Sequence, residues 1–186
     1  MTAVQHDQQV TESDASCSFP QPELEDPDGR SPRLLEIEIT HPSIRANRRV
    51  LRRIVLHALR EESLRHRELT LALVDPAEMQ RLNREFHGAD EPTDHLGFQY
   101  EAPPGEVSGD IFVCPAVCAE QSAQWEETPR RELARVVLHG VLHLAGWRDD
   151  TPAQRRRMHV REDELLAGLL ALREPAAWLE GAAHVR

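Results

Sequence analysis

The sequence predicts a single α+β domain with a small four-stranded mixed sheet, about five helices, and a metal site on a HxxxHxxGxxD helix-turn. Three observations lead there. Short runs that alternate apolar and polar residues are interspersed with longer amphipathic stretches, the mark of strands and helices packed in layers. At 186 residues, 40% of them hydrophobic, the chain suits one domain with a sizeable core. And residues 138–149 place His139 and His143 four apart in an apolar helix, followed by Gly146 and Asp149.

Residues 1–32 are acidic and broken by Pro20, Pro22, Pro27, Gly29 and Pro32, so they are expected to be a disordered tail. From Leu35 the next stretch alternates apolar and charged side chains as a half-wet strand does. Pro42 and Ser43 introduce a helix whose polar face carries Arg45, Arg48, Arg49, Arg52 and Arg53. That face is either a solvated surface or a contact for an RNA backbone. Residues 68–74 read as a second strand, and Asp75, Pro76 and Glu78 open a helix with a cap, an early proline and an acid three positions after the cap. The helix ends near Phe86, His87 and Gly88. A turn over 90–94 leads into strands at 96–100 and 109–114, separated by Pro103, Pro104 and Gly105. A helix from Pro115 to about Trp125 follows, then the histidine helix from Thr128–Pro129 and a last helix from Thr151–Pro152 through Leu170. The globular domain is expected over 33–175, with residues 176–186 as a C-terminal tail.

Two histidines four apart on a helix lie one turn apart on one face, so both imidazoles can reach one ion. Gly146 can end that helix in the left-handed conformation and bring Asp149 back as a third ligand. Three protein ligands and a water describe a catalytic zinc site; four would close it. A bare HxxxH pair has a plainer reading, two half-buried histidines bonded to their neighbours. The glycine and the carboxylate favour a single Zn2+ held by His139, His143 and Asp149. Asp150 and His159 are the rival third ligands.

Composition narrows the classes. No run of about 20 apolar residues spans a membrane, and the amino terminus lacks the charged-then-apolar pattern of a secretory signal, so a cytoplasmic protein is expected. Cys17, Cys114 and Cys118 have no CxxC spacing and read as reduced, packed thiols. A net charge of -10 opposes non-specific adhesion to nucleic acid. Residues 1–32, however, hold seven acids against Arg30 alone, and every basic residue of the chain is arginine.

Over roughly residues 34–170 the chain resembles the YbeY family of metal-dependent bacterial endoribonucleases that act in ribosomal RNA maturation. His139-Gly140-Val141-Leu142-His143-Leu144-Ala145-Gly146-Trp147 matches its HGxLHLxGY motif with tryptophan for tyrosine. Residues 82–90 with Pro92-Thr93-Asp94-His95-Leu96 look like its LNxxYR...D...PTDVLSF segment, and Ser108-Gly109-Asp110-Ile111 looks like its LGDI strand. The resemblance implies an endoribonuclease of ribosomal RNA maturation and quality control, with ribosomal RNA and small-subunit ribosomal proteins as partners. The chain departs from the pattern at three places. Asp149 replaces the third metal-binding histidine, adding negative charge and lowering Lewis acidity. His87 replaces an arginine regarded as important for RNA cleavage; a histidine there can hold a phosphate when protonated, exchange a proton, or simply end a helix. His95 replaces valine and is a further candidate beside the site. Two other functions compete. A zinc peptidase needs a glutamate directly after the first histidine, where this chain has Gly140. A non-catalytic ribosome-assembly protein could keep the metal for stability.

Overall fold

The computed structural model describes residues 33–124, 126–170 and 179–180. The expected tail over 1–32, Trp125 at the expected end of a helix, Cys17, and all but two residues of the expected C-terminal tail lie outside them. The chain runs β1 (Leu34–Ile39), β2 (Arg45–Ala46), α1 (Arg48–Glu61), β3 (Arg65–Leu73), α2 (Pro76–His87), β4 (His95–Tyr100), β5 (Glu106–Val113), α3 (Pro115–Gln124), α4 (Pro129–Leu144), α5 (Pro152–Leu170) and β6 (Leu179–Glu180). The main sheet has the order β1-β3-β5-β4. Strands β1, β3 and β5 are parallel and β4 is antiparallel to β5, so the described residues form the mixed four-stranded sheet with five helices that the pattern predicts.

The first helix starts later than Pro42. Asn47 is its cap, its side-chain oxygen accepting from the Arg49 and Val50 amides at 2.9 and 3.4 Å. The residues just before it, Arg45 and Ala46, pair antiparallel with Glu180 and Leu179 in a separate two-stranded sheet. Two residues are too few to carry a strand period, so nothing local announces that pairing. Of the arginines on this helix, Arg48 donates to the Ile37 carbonyl at 3.0 Å and Arg52 to the Leu35 carbonyl at 2.5 Å. Among the described residues β1 is an edge strand, and these two side chains cap carbonyls that no strand found there pairs with.

Strand alternation sorts the side chains into two cores. Leu69, Leu71 and Leu73 of β3 and Val107, Ile111 and Val113 of β5 pack with α1, α4 and α5. Their neighbours Ala72, Phe112, Leu96 and Phe98 pack with Met79 and Leu82 of α2. Helix α4 lies deepest, with Leu133, Val137, Leu138, Val141 and Leu142 fully buried. Thr128 caps it, accepting from the Arg131 amide, and Pro129 occupies its first turn. Gly140 lets this helix sit against β5: a Cβ there would stand 2.7 Å from Ile111 Cγ2. The close approach sets the spacing between α4 and the strands beside it.

Candidate metal centre

The centre forms where α4 meets the start of β4. Leu96 and Phe98 face the α2 core, so by alternation His95, Gly97 and Gln99 face α4. Two contacts fix that direction: Gln99 donates to the Leu144 carbonyl at 3.2 Å, and His95 stands opposite Val113 in the β4–β5 register. On α4, the i, i+4 spacing puts His139 and His143 on one face. The three rings converge, with the His95 centroid 4.6 Å from that of His139 and 5.8 Å from that of His143. One ring nitrogen from each lies within 4.8 Å of the others.

Each imidazole is oriented through its Nδ1. His95 Nδ1 lies 3.0 Å from Asp94 Oδ1, His139 Nδ1 lies 2.7 Å from Glu162 Oε1, and His143 Nδ1 lies 3.1 Å from the Trp147 carbonyl oxygen. A carbonyl or an ionised carboxylate only accepts, so in all three rings Nδ1 carries the proton. Both carboxylates are held ionised. Burial alone would raise the Asp94 carboxyl, but hydrogen bonds and charge from His95, with the Thr93 hydroxyl, hold it down to about 2. At Glu162 burial is likewise outweighed, by the hydrogen bond and charge of His139 and those of His159, and its carboxyl falls below the ordinary value.

The consequence is a cluster of bare Nε2 lone pairs. His139 Nε2 and His143 Nε2 face each other at 2.9 Å. Burial and the neighbouring imidazoles push His143 below its ordinary value, which disfavours solving the conflict with an extra proton. Converging acceptors without a donor are the chemistry of a cation site. Nitrogen ligands of a tetrahedral zinc stand about 3.3 Å apart. The present separations bracket that distance: 2.9 Å between the two Nε2 atoms, and 4.0 and 3.8 Å from them to the Asp149 carboxylate. The donor set therefore fits a borderline-soft divalent ion.

Asp149 reaches the histidines because the chain turns at Gly146, whose φ is +90°. The Trp147 amide donates back to the Leu142 carbonyl at 3.0 Å, and Arg155 donates to the carbonyls of Asp149 and Asp150 at 2.9 and 3.1 Å. The Trp147 indole is pinned by Glu62 at 2.9 Å, which also receives Arg161 at 2.7 Å. Of the two rivals, Asp150 pairs with Arg148 at 3.0 Å, and His159 points its Nδ1 at Glu162 Oε2 at 3.1 Å. His87 is the last residue of α2, exposed, and is not one of the histidines whose ring nitrogens converge.

Two supporting residues went unread in the sequence. Glu162, 1% exposed, continues the buried stripe of α5 formed by Met158, Leu165, Leu166 and Leu169. A single carboxylate on an otherwise apolar helix face was its available signal. Asp94 precedes His95 directly and bonds both its ring and its amide. The same residues open onto a cleft of about 630 Å³ lined by Asp94, His95, Glu132, Arg135, His139 and Glu162, among others. Cys114 and Cys118 are buried and unpaired with each other, as expected of packed thiols.

Fold and site together define an α+β domain that gathers three imidazoles and a carboxylate between its central helix and the first residue of an edge strand. The family model described as "Endoribonuclease YbeY" matches residues 36–170. Curated proteins named endoribonuclease YbeY are similar to the chain: that of Halorhodospira halophila is 39% identical over 108 residues, covering 55% of this chain and 70% of the relative. That of Pseudoalteromonas translucida is 36% identical over 117 residues, covering 61% and 74%. The solution structure of TM1509 from Thermotoga maritima superposes with a TM-score of 0.53 at 25% identity, covering 75% of this chain and 91% of that one. The chain belongs to the YbeY family.

Proposed function

We propose that this protein is a metal-dependent endoribonuclease that cleaves single-stranded segments of RNA during ribosomal RNA maturation and quality control. The family membership supports RNA as substrate. The observation that carries the metal dependence is the set of imidazoles with protonated Nδ1 atoms and converging bare Nε2 atoms. His139, His143 and Asp149 would hold one Zn2+ ion. When bound, such an ion supplies a Lewis acid for the phosphodiester and brings the pKa of a bound water toward neutrality.

The chain's own residues orient and support. Glu162 fixes the tautomer of His139 and strengthens its Nε2 as a donor of electrons, and the Trp147 carbonyl does the same for His143. The adjoining cleft gives a strand of RNA access to this edge of the sheet. His87, exposed on α2, would engage the substrate phosphate or exchange a proton with it once RNA is in place. The peptidase alternative loses its support at Gly140. That position has no room for the required glutamate, since even a Cβ would press on the buried Ile111. A role in assembly without catalysis draws on one observation, that His87 stands where the family pattern has an arginine.

Among the described residues no helix is long and apolar enough to cross a membrane. The RNA substrate favours a cytoplasmic setting, with ribosomal RNA and small-subunit ribosomal proteins as partners. The test is to measure metal in the purified protein and assay structured RNA and casein with and without chelator. RNA cleavage abolished by chelator is expected. Casein cleavage would select the peptidase, and bound metal with neither activity the assembly role.

A further inference from the structure

We propose that His95 is a fourth protein ligand of the same ion, beside His139, His143 and Asp149. This rests on the reading of His139, His143 and Asp149 as a metal site. Four observations support it. His95 has the orientation of a ligand: its Nδ1 is committed to Asp94 at 3.0 Å, leaving Nε2 as the nitrogen it can offer. The position is shared, since one ring nitrogen of His95 falls within 4.8 Å of a ring nitrogen of His139 and of His143. Its ring meets that of His139 edge to face, at 80° and 4.6 Å, and lies nearly parallel to that of His143, at 16° and 5.8 Å, so it is in contact with both. Finally, its support is held in place: the Asp94 carboxylate also accepts from the His95 amide at 2.7 Å and from the Thr93 hydroxyl at 3.2 Å, and the Asp94 carbonyl accepts from the Cys114 amide at 2.8 Å.

A histidine kept only for packing would bond through one nitrogen and bury the other edge against apolar groups. Here the ring meets two further imidazoles, each with a nitrogen within 4.8 Å of one of its own. A further protein donor adds to the hold on the ion.

The test uses the full chain with Zn2+ as the sole added ligand. X-ray absorption at the zinc edge of the unmodified protein is expected to count three imidazoles; a count of two overturns the proposal. His95→Val is expected to weaken zinc binding in a chelator competition at least about tenfold, as the loss of a mere supporting partner already can. It should also change the visible spectrum of the Co2+-loaded protein. Asp94→Asn, which loosens the ring without removing it, should fall between. Unchanged affinity and spectrum in His95→Val, beside a wild type that binds one zinc and a His139→Ala variant that does not, would reject His95 while keeping the site. A wild type that takes up no zinc would reject both.

Discussion

The cluster at α4 and β4 and the exposed end of α2 both carry histidines that the sequence motifs single out, and they differ in what stands behind each ring. His95, His139 and His143 each have a fixed acceptor on Nδ1, supplied by Asp94, Glu162 and the Trp147 carbonyl. His87 is exposed, and among the described residues no side-chain bond holds it. Rings fixed by the fold present their lone pairs before any ligand arrives, so the ordering cost is met during folding. A ring without support can contribute only after a substrate orders it. Binding of metal should therefore depend on the cluster, and turnover on both regions.

Substitutions can break that division. Asp149→Ala or His139→Ala is expected to strip or greatly weaken metal binding, whereas Asp149→His should keep it with an altered pH dependence, because an imidazole must be neutral to ligate. Elemental analysis of the purified variants decides, and full occupancy in Asp149→Ala would remove that residue from the set. His87→Ala should leave metal content unchanged and lower RNA cleavage about 100-fold if it acts as an acid or base. A fall in metal content would join the two regions into one site.

Glu162→Gln tests the support itself. A neutral amide cannot hold His139 as strongly, and zinc affinity should fall about 10–100-fold. The same substitution has a signature in acid. The Glu162 carboxyl is lowered from its ordinary 4.5 in the folded protein. Its stabilisation is thus fully present above that value and is lost as pH falls through the folded one. Urea midpoints of the metal-free protein should drop on that limb, and less steeply in Glu162→Gln. Equal slopes would mean that the carboxylate is not held by the imidazoles. Gly140→Ala should cost about 1–3 kcal/mol, because the new Cβ meets Ile111, which has no exposed side to move toward.

Much of this was readable beforehand for a physical reason. Strands and helices long enough to show a period appear where the pattern puts them, apart from the late start of α1, and the HxxxH spacing followed by the turn at Gly146 brings Asp149 near the histidines. What escaped were contacts between distant segments. The pairing of Arg45–Ala46 with Leu179–Glu180 spans more than a hundred residues and has no period of its own. Glu162 supports His139 from another helix, 23 residues away. His95 could be placed beside the site from its strand, but the alternation that turns it toward α4 becomes useful only once the α2 core on the opposite face is known.

The smallest expected effect extends the comparison to the arginines of α1. Arg52 and Arg48 have acceptors, the Leu35 and Ile37 carbonyls on the exposed edge of β1, while Arg49 is exposed and no side-chain bond from it is found among the described residues. Arg52→Ala should lower stability by about 1 kcal/mol, the net worth of one such hydrogen bond at a solvent-facing edge. Arg49→Ala should change it by less than about 0.5 kcal/mol. Binding should reverse the order. A side chain already committed to a carbonyl is a poor partner for a phosphate, whereas a free guanidinium can neutralise one and release a counterion. Arg49→Glu should then weaken RNA binding and flatten its dependence on salt by about one unit of slope, with Arg52→Ala nearly silent. If both leave the salt slope unchanged, the face of α1 is solvated surface, and RNA must reach the cleft by another side of the molecule.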